Sequence, residues 1–157
     1  MRKEIINQLQ KQNVDSDPNW LDIEKLAAVE VTSEDYSYPI ENALLPEKPL
    51  GWKASELGKQ TIRLIFDNPQ RLHWIKLNFK ESDAERTQEY VLRYSSDRGQ
   101  SYQEIMRQQW NFSPDGATSE IEESQVDLPI VTEVELIITP DINGGNTVAS
   151  LEQLRLS

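Results

Sequence analysis

The stretch Tyr90-Val91-Leu92-Arg93-Tyr94-Ser95-Ser96-Asp97-Arg98-Gly99-Gln100-Ser101-Tyr102 decides the fold. Tyr90, Leu92 and Tyr94 recur at every second position, the period of a strand with one buried face. Ser96 to Gln100 then reads as a tight hairpin turn, because Gly99 can take the positive φ such turns require. Residues 102–110 follow as the partner strand.

The same period extends outward in both directions. Ile62, Leu64 and Phe66 share one face of a strand over 61–66, with Arg63 on the other. His73, Ile75, Leu77 and Phe79 share a face over 72–79, and 67–71 reads as the tight turn between these two strands. Further strands are predicted over 28–32, 118–122, 131–139 and 149–156. Eight strands, short turns, several longer loops and little helix predict an all-β protein, an eight-stranded antiparallel β-sandwich of the jelly-roll kind. Residues 2–12 predict a short N-terminal helix, with Ile5, Ile6 and Leu9 on one face and a break at Asp15-Ser16-Asp17-Pro18-Asn19. The chain therefore divides into a helix and connector over 1–19 and a β-sandwich domain over 20–157.

Composition bounds the function. With 157 residues and 37% hydrophobic content, the chain is the size of one domain with a real core. A formal net charge of -11 argues against nucleic acid and against an anionic membrane surface, since both select Lys and Arg. No apolar run is long enough for a membrane span or a secretory signal. The absence of cysteine excludes disulfides, thiolate metal sites and a cysteine nucleophile. These features fit a cytoplasmic protein, or a piece of a larger one.

Four segments resemble the discoidin or coagulation-factor type-C domains, the galactose-binding-like jelly rolls. They are Gly51-Trp52-Lys53-Ala54-Ser55, Ile75-Lys76-Leu77-Asn78-Phe79, the hairpin over 90–102, and Ala149-Ser150-Leu151-Glu152-Gln153-Leu154-Arg155-Leu156. The resemblance covers about residues 26–156, and the hairpin is its most specific part. It implies non-catalytic binding, often of glycans and sometimes of lipids or proteins. It also implies a structural calcium, held by an acidic loop before the Trp and by the closing strand. Here that loop, 40–50, lacks the usual Asp-Gly pair, leaving Glu41, Asn42, Glu47 and Glu152 as candidate ligands for an ion that wants six to eight oxygens.

In an antiparallel sandwich successive connections alternate between two ends. The connections over 33–59, 80–88, 111–117 and 140–148 therefore share one end, and they are the long, irregular ones, where binding residues concentrate. That end carries Tyr38, Trp52, Arg86, Gln88, Trp110, Phe112, Asp141 and Asn143 as candidate ligand contacts. Aromatic faces stack on sugars, while Arg, amides and carboxylates bond hydroxyls. Structural roles compete at each position. Trp52 reads as a core plug, Arg86 as a surface ion pair with its acidic neighbours, and Asp141 and Asn143 as turn formers before Gly144-Gly145. Trp110 and Phe112 stand between core and ligand roles.

The lone histidine, His73, reads as a partly buried strand residue and cannot supply a paired-imidazole zinc site. There is no Gly-x-Ser-x-Gly elbow and no Gly-Lys-Ser/Thr phosphate loop, so no catalytic constellation emerges. Two readings remain: a glycan-binding module using the long-loop end, and an intracellular protein-interaction module.

Overall fold

Among the described residues the period-two apolar pattern produces eight antiparallel strands, but they are not the eight the sequence predicts. The structure, a computed structural model, describes residues 19–48 and 50–157, so the helix expected over 2–12 lies outside the described residues. The strands are β1 (Ala27–Val31), β2 (Trp52–Leu57), β3 (Gln60–Lys80), β4 (Arg86–Ser95), β5 (Gln103–Phe112), β6 (Ser119–Thr139), β7 (Val148–Leu151) and β8 (Gln153–Leu156). Two single-turn helices, α1 (Ile23–Leu26) and α2 (Glu41–Leu44), flank β1.

The segment 67–71 does not separate two strands. β3 runs through it, paired with β6 from Gln60↔Ile138 to Lys80↔Ser119, with register shifts between Ile65 and Trp74. Pro69 and Pro129 sit in this irregular zone, where a missing N–H costs the ladder least. A straight strand of 21 residues would span about 65 Å. Yet Glu81, just past one end of β3, and Pro140, beside the partners of its other end, both bond the Arg86 guanidinium. The β3–β6 ribbon therefore doubles back. It reverses the chain as a turn would, without breaking its hydrogen bonds.

Each half of the ribbon serves a different layer. The halves near Gln60 and Thr139 join β1, β4 and β5; the halves near Lys80 and Ser119 join β8. Phe79 of one layer meets Tyr90 of the other at 4.9 Å between ring centroids. Trp52, Phe66, Phe79, Tyr90 and Phe112 are the largest fully buried side chains. β2 arises inside a segment read as loop and pairs with β7 in a separate ribbon. The closing stretch splits at Glu152, after which β8 crosses to β3. Two merged pairs, one split strand and one unforeseen strand leave the total at eight.

His73 departs from its expected face. The register shift before Trp74 keeps Leu72 and Ile75 buried and turns His73 outward, exposed. At the far end of the sandwich from the long loops, the hairpin closes as its sequence predicts. Asp97 accepts from the Ser95 hydroxyl at 2.7 Å and the Ser101 N–H at 2.9 Å. Arg98 donates to the Phe66 carbonyl at 2.6 Å, docking the hairpin on the bend of β3.

Candidate functional site

The long connections meet at one end of the sandwich, as alternation requires. The Glu81 N–H donates to the Thr118 carbonyl at 2.8 Å, and the Ile142 N–H to the Thr87 carbonyl at 2.8 Å. Tyr38 is tied to β2 through the Lys53 N–H at 3.2 Å.

Arg86 braces this end from within. It is 2% exposed, and its Nε donates to Glu81 Oε1 at 2.8 Å. Nη1 donates to Gln88 Oε1 at 3.1 Å and the Pro140 carbonyl at 3.0 Å, and Nη2 to Ser150 Oγ at 3.3 Å. The guanidinium lies 4.8 Å from the Phe112 ring centroid. The expected surface ion pair is thus a buried one that joins four segments. Four of its five N–H donors are engaged within the protein, so Arg86 ties the loops together.

Around this brace lie two concavities. The larger, about 540 Å³, lies between Tyr38, Leu50 and Lys53 on the β2 side and Lys80, Ser82 and Asp83 at and beyond the end of β3, with Asn146, Thr147 and Ser150 contributed by the segment around β7. The Lys53 ammonium sits 4.4 Å from the Tyr38 ring centroid, and Lys53 pairs in register with Ser150. Lys80 is well exposed and stands 3.8 Å from Glu152. The buried Thr147 hydroxyl has no hydrogen-bond partner among the described residues. The cleft thus offers the Tyr38 ring, two ammonium groups, the carboxylates of Glu81, Asp83 and Glu152, and several neutral polar groups. The smaller concavity, about 430 Å³, is lined by Glu85, Arg86, Thr87, Asn111, Phe112, Ser113, Asp141 and Asn143.

The structure separates the eight candidate contacts. Tyr38 and Trp52 border the larger cleft, but Trp52 is 1% exposed and its indole N–H donates to the Ser33 carbonyl, which makes it the plug under the long loop. Gln88 and Phe112 are fully buried, because β4 and β5 turn them inward. Asp141 accepts from the Asn143 and Thr87 N–H groups, a turn former at the rim of the smaller concavity. Trp110 is exposed, pairs in register with Gln88 and borders neither concavity. Lys53, Lys80 and Ser150 were not anticipated. Lys53 and Ser150 are placed by the pairing of β2 with β7, which the sequence pattern does not reveal, and Lys80 closes β3.

The calcium implied by the resemblance does not fit. Glu41 and Glu47 are exposed, while Asn42 is turned inward. Glu152 faces Lys80. Among the described residues no group of three or more acidic or histidine side chains is arranged to hold a metal ion. The carbonyls of Ala43 and Leu45, the oxygens such a loop would offer, already accept from Arg155. Nor is any helix of the described residues long and apolar enough to cross a membrane.

Comparison with known proteins places the fold. No protein-family model matches the chain, and no curated protein matches it. Among solved structures, CpGH89CBM32-5 from Clostridium perfringens, in complex with GalNAc-beta-1,3-galactose, aligns at TM-score 0.64 and 18% identity, over 88% of this chain and 99% of that one. The family 32 CBM of C. perfringens NanJ, in complex with galactose, aligns at TM-score 0.62 and 15% identity, over 87% and 96%. The CBM32 of AlyQ, in complex with 4,5-unsaturated mannuronic acid, aligns at TM-score 0.61 and 19% identity, over 89% and 98%. The fold is that of the discoidin-like, galactose-binding-like jelly rolls to which these carbohydrate-binding modules belong.

Proposed function

We propose that this chain is a non-catalytic glycan-binding module whose ligand occupies the larger cleft at the long-loop end. The observation that carries the reading is the cleft itself. A concavity of about 540 Å³ between Tyr38, Lys53, Lys80, Asp83 and Asn146 matches the chemistry of a sugar, with a ring for its apolar face and mixed donors and acceptors for its hydroxyls. The likeness to solved sugar-binding modules supports the same class. Catalysis is left out of this reading because each carboxylate of the cleft has another place: Glu81 is committed to Arg86, Glu152 faces Lys80, and Asp83 stands exposed. A glycan array probed with the folded protein tests the reading. Reproducible binding to a related set of sugars supports it; a blank array with folded protein contradicts it.

A further inference from the structure

The junction between α2 and the closing strand contains a buried positive charge that the glycan reading does not use. Arg155 on β8 is 6% exposed. Its Nη1 donates to the Ala43 carbonyl at 2.7 Å and to the Leu154 carbonyl at 3.0 Å, and its Nη2 donates to the Leu45 carbonyl at 3.2 Å. Ala43 and Leu45 lie at the end of a single-turn helix, where carbonyls lack intrahelical partners. Three backbone oxygens from two remote segments thus converge on one cation.

Among the described residues of this junction, Lys48 is exposed, whereas the Arg155 side chain is buried within it. Burial lowers the Arg155 pKa from the usual arginine value, and the attraction of Glu47 opposes it. Arginine nevertheless keeps its charge in proteins, and its planar fork can span two carbonyls where a lysine ammonium is a single point. Glu41 and Glu47, which an ion would recruit, remain exposed.

We infer that Arg155 is the built-in cation of this junction, standing where a metal ion would otherwise crosslink the 41–48 segment to the closing strand, so that the domain holds together without calcium. The side chain also secures the segment that leads through Leu50 into β2, one side of the larger cleft.

Thermal unfolding of the full chain, with a chelator and with millimolar calcium, tests this without any sugar present, so it stands or falls apart from the glycan reading. The wild-type midpoint is expected to agree within about 1 °C between the two conditions, and Arg155→Met to fall on the order of 10 °C in both. Arg155→Lys, which keeps the charge but not the fork, is expected to fall between them and serves as the readout if Arg155→Met does not fold. A wild-type midpoint that rises several degrees with calcium overturns the inference. So does an Arg155→Met or Arg155→Lys variant as stable as wild type.

Discussion

Arg86 on β4 and Glu81 in the connection after β3 form an ion pair at 2.8 Å in which the arginine side chain is 0% exposed and the glutamate 17%. Removing one partner of a buried pair strands the other charge, at a cost of about 3–5 kcal/mol. Arg86→Met is therefore expected to lower the unfolding midpoint by on the order of 10 °C, read by calorimetry. A change of about 1 °C would show that the brace is dispensable.

Glu120 gives the fold a pH dependence opposite to that of a paired carboxylate. It lies inward on β6 beside Phe79, 2% exposed, and both its oxygens lack hydrogen-bond partners among the described residues. Desolvation, with added repulsion from Glu122 and a smaller opposing pull from Gln88, raises its pKa to about 7. A folded pKa above the unfolded one means that charging the group destabilises the fold. Its penalty is absent below the usual glutamate range, grows through the mid-range and is complete above pH 7. Glu120→Gln is expected to stabilise the domain by about 2–3 kcal/mol at pH 8 and to have little effect at pH 4.5. Chemical denaturation at the two pH values measures the difference, and an equal effect at both would reject it.

Gly99 tests the hairpin. Its φ is +84°, and a Cβ there would run into the Glu133 carboxylate. Gly99→Ala is expected to cost about 1–3 kcal/mol by denaturant midpoint. Gly144 also has positive φ, at +85°, but open space around it. Gly144→Ala should therefore cost less, and equal losses would remove the steric part of the argument.

The sequence made the fold class legible because burial repeats every second residue. Ile62, Leu64, Phe66, Tyr90 and Leu92 all lie inward as the period requires. It concealed the continuity of β3, because Asp67-Asn68-Pro69-Gln70-Arg71 has the composition of a turn, whether the chain reverses by breaking pairs or by bending a paired ribbon. His73 was misplaced for the same reason, since a register shift leaves no trace in composition. The end of the molecule that carries the cleft was legible from strand alternation alone. Its lining was less so. Arg86, Gln88 and Phe112 have residue types that suit a ligand, but strand parity turns them inward, and Lys53 and Ser150 emerge only when β2 pairs with β7.

Trp110 separates composition from position. It is exposed enough to stack on a sugar but borders neither concavity. Trp110→Ala is expected to leave glycan affinity within about twofold, since a group outside the site contributes no contact to it. A tenfold loss by titration would move the site to the β5 edge.

The most direct test of the cleft is isothermal titration of the best array sugar into wild type, Lys53→Ala and Asp83→Ala, with the unfolding midpoint of each recorded. Both side chains border the cleft, and Asp83 is well exposed, so the variants should fold as wild type does. Losing a hydrogen bond to a charged group costs about 1.5–3 kcal/mol, so each variant is expected to bind roughly tenfold or more weakly at an unchanged midpoint. Unchanged affinity in both folded variants would contradict a ligand in this cleft.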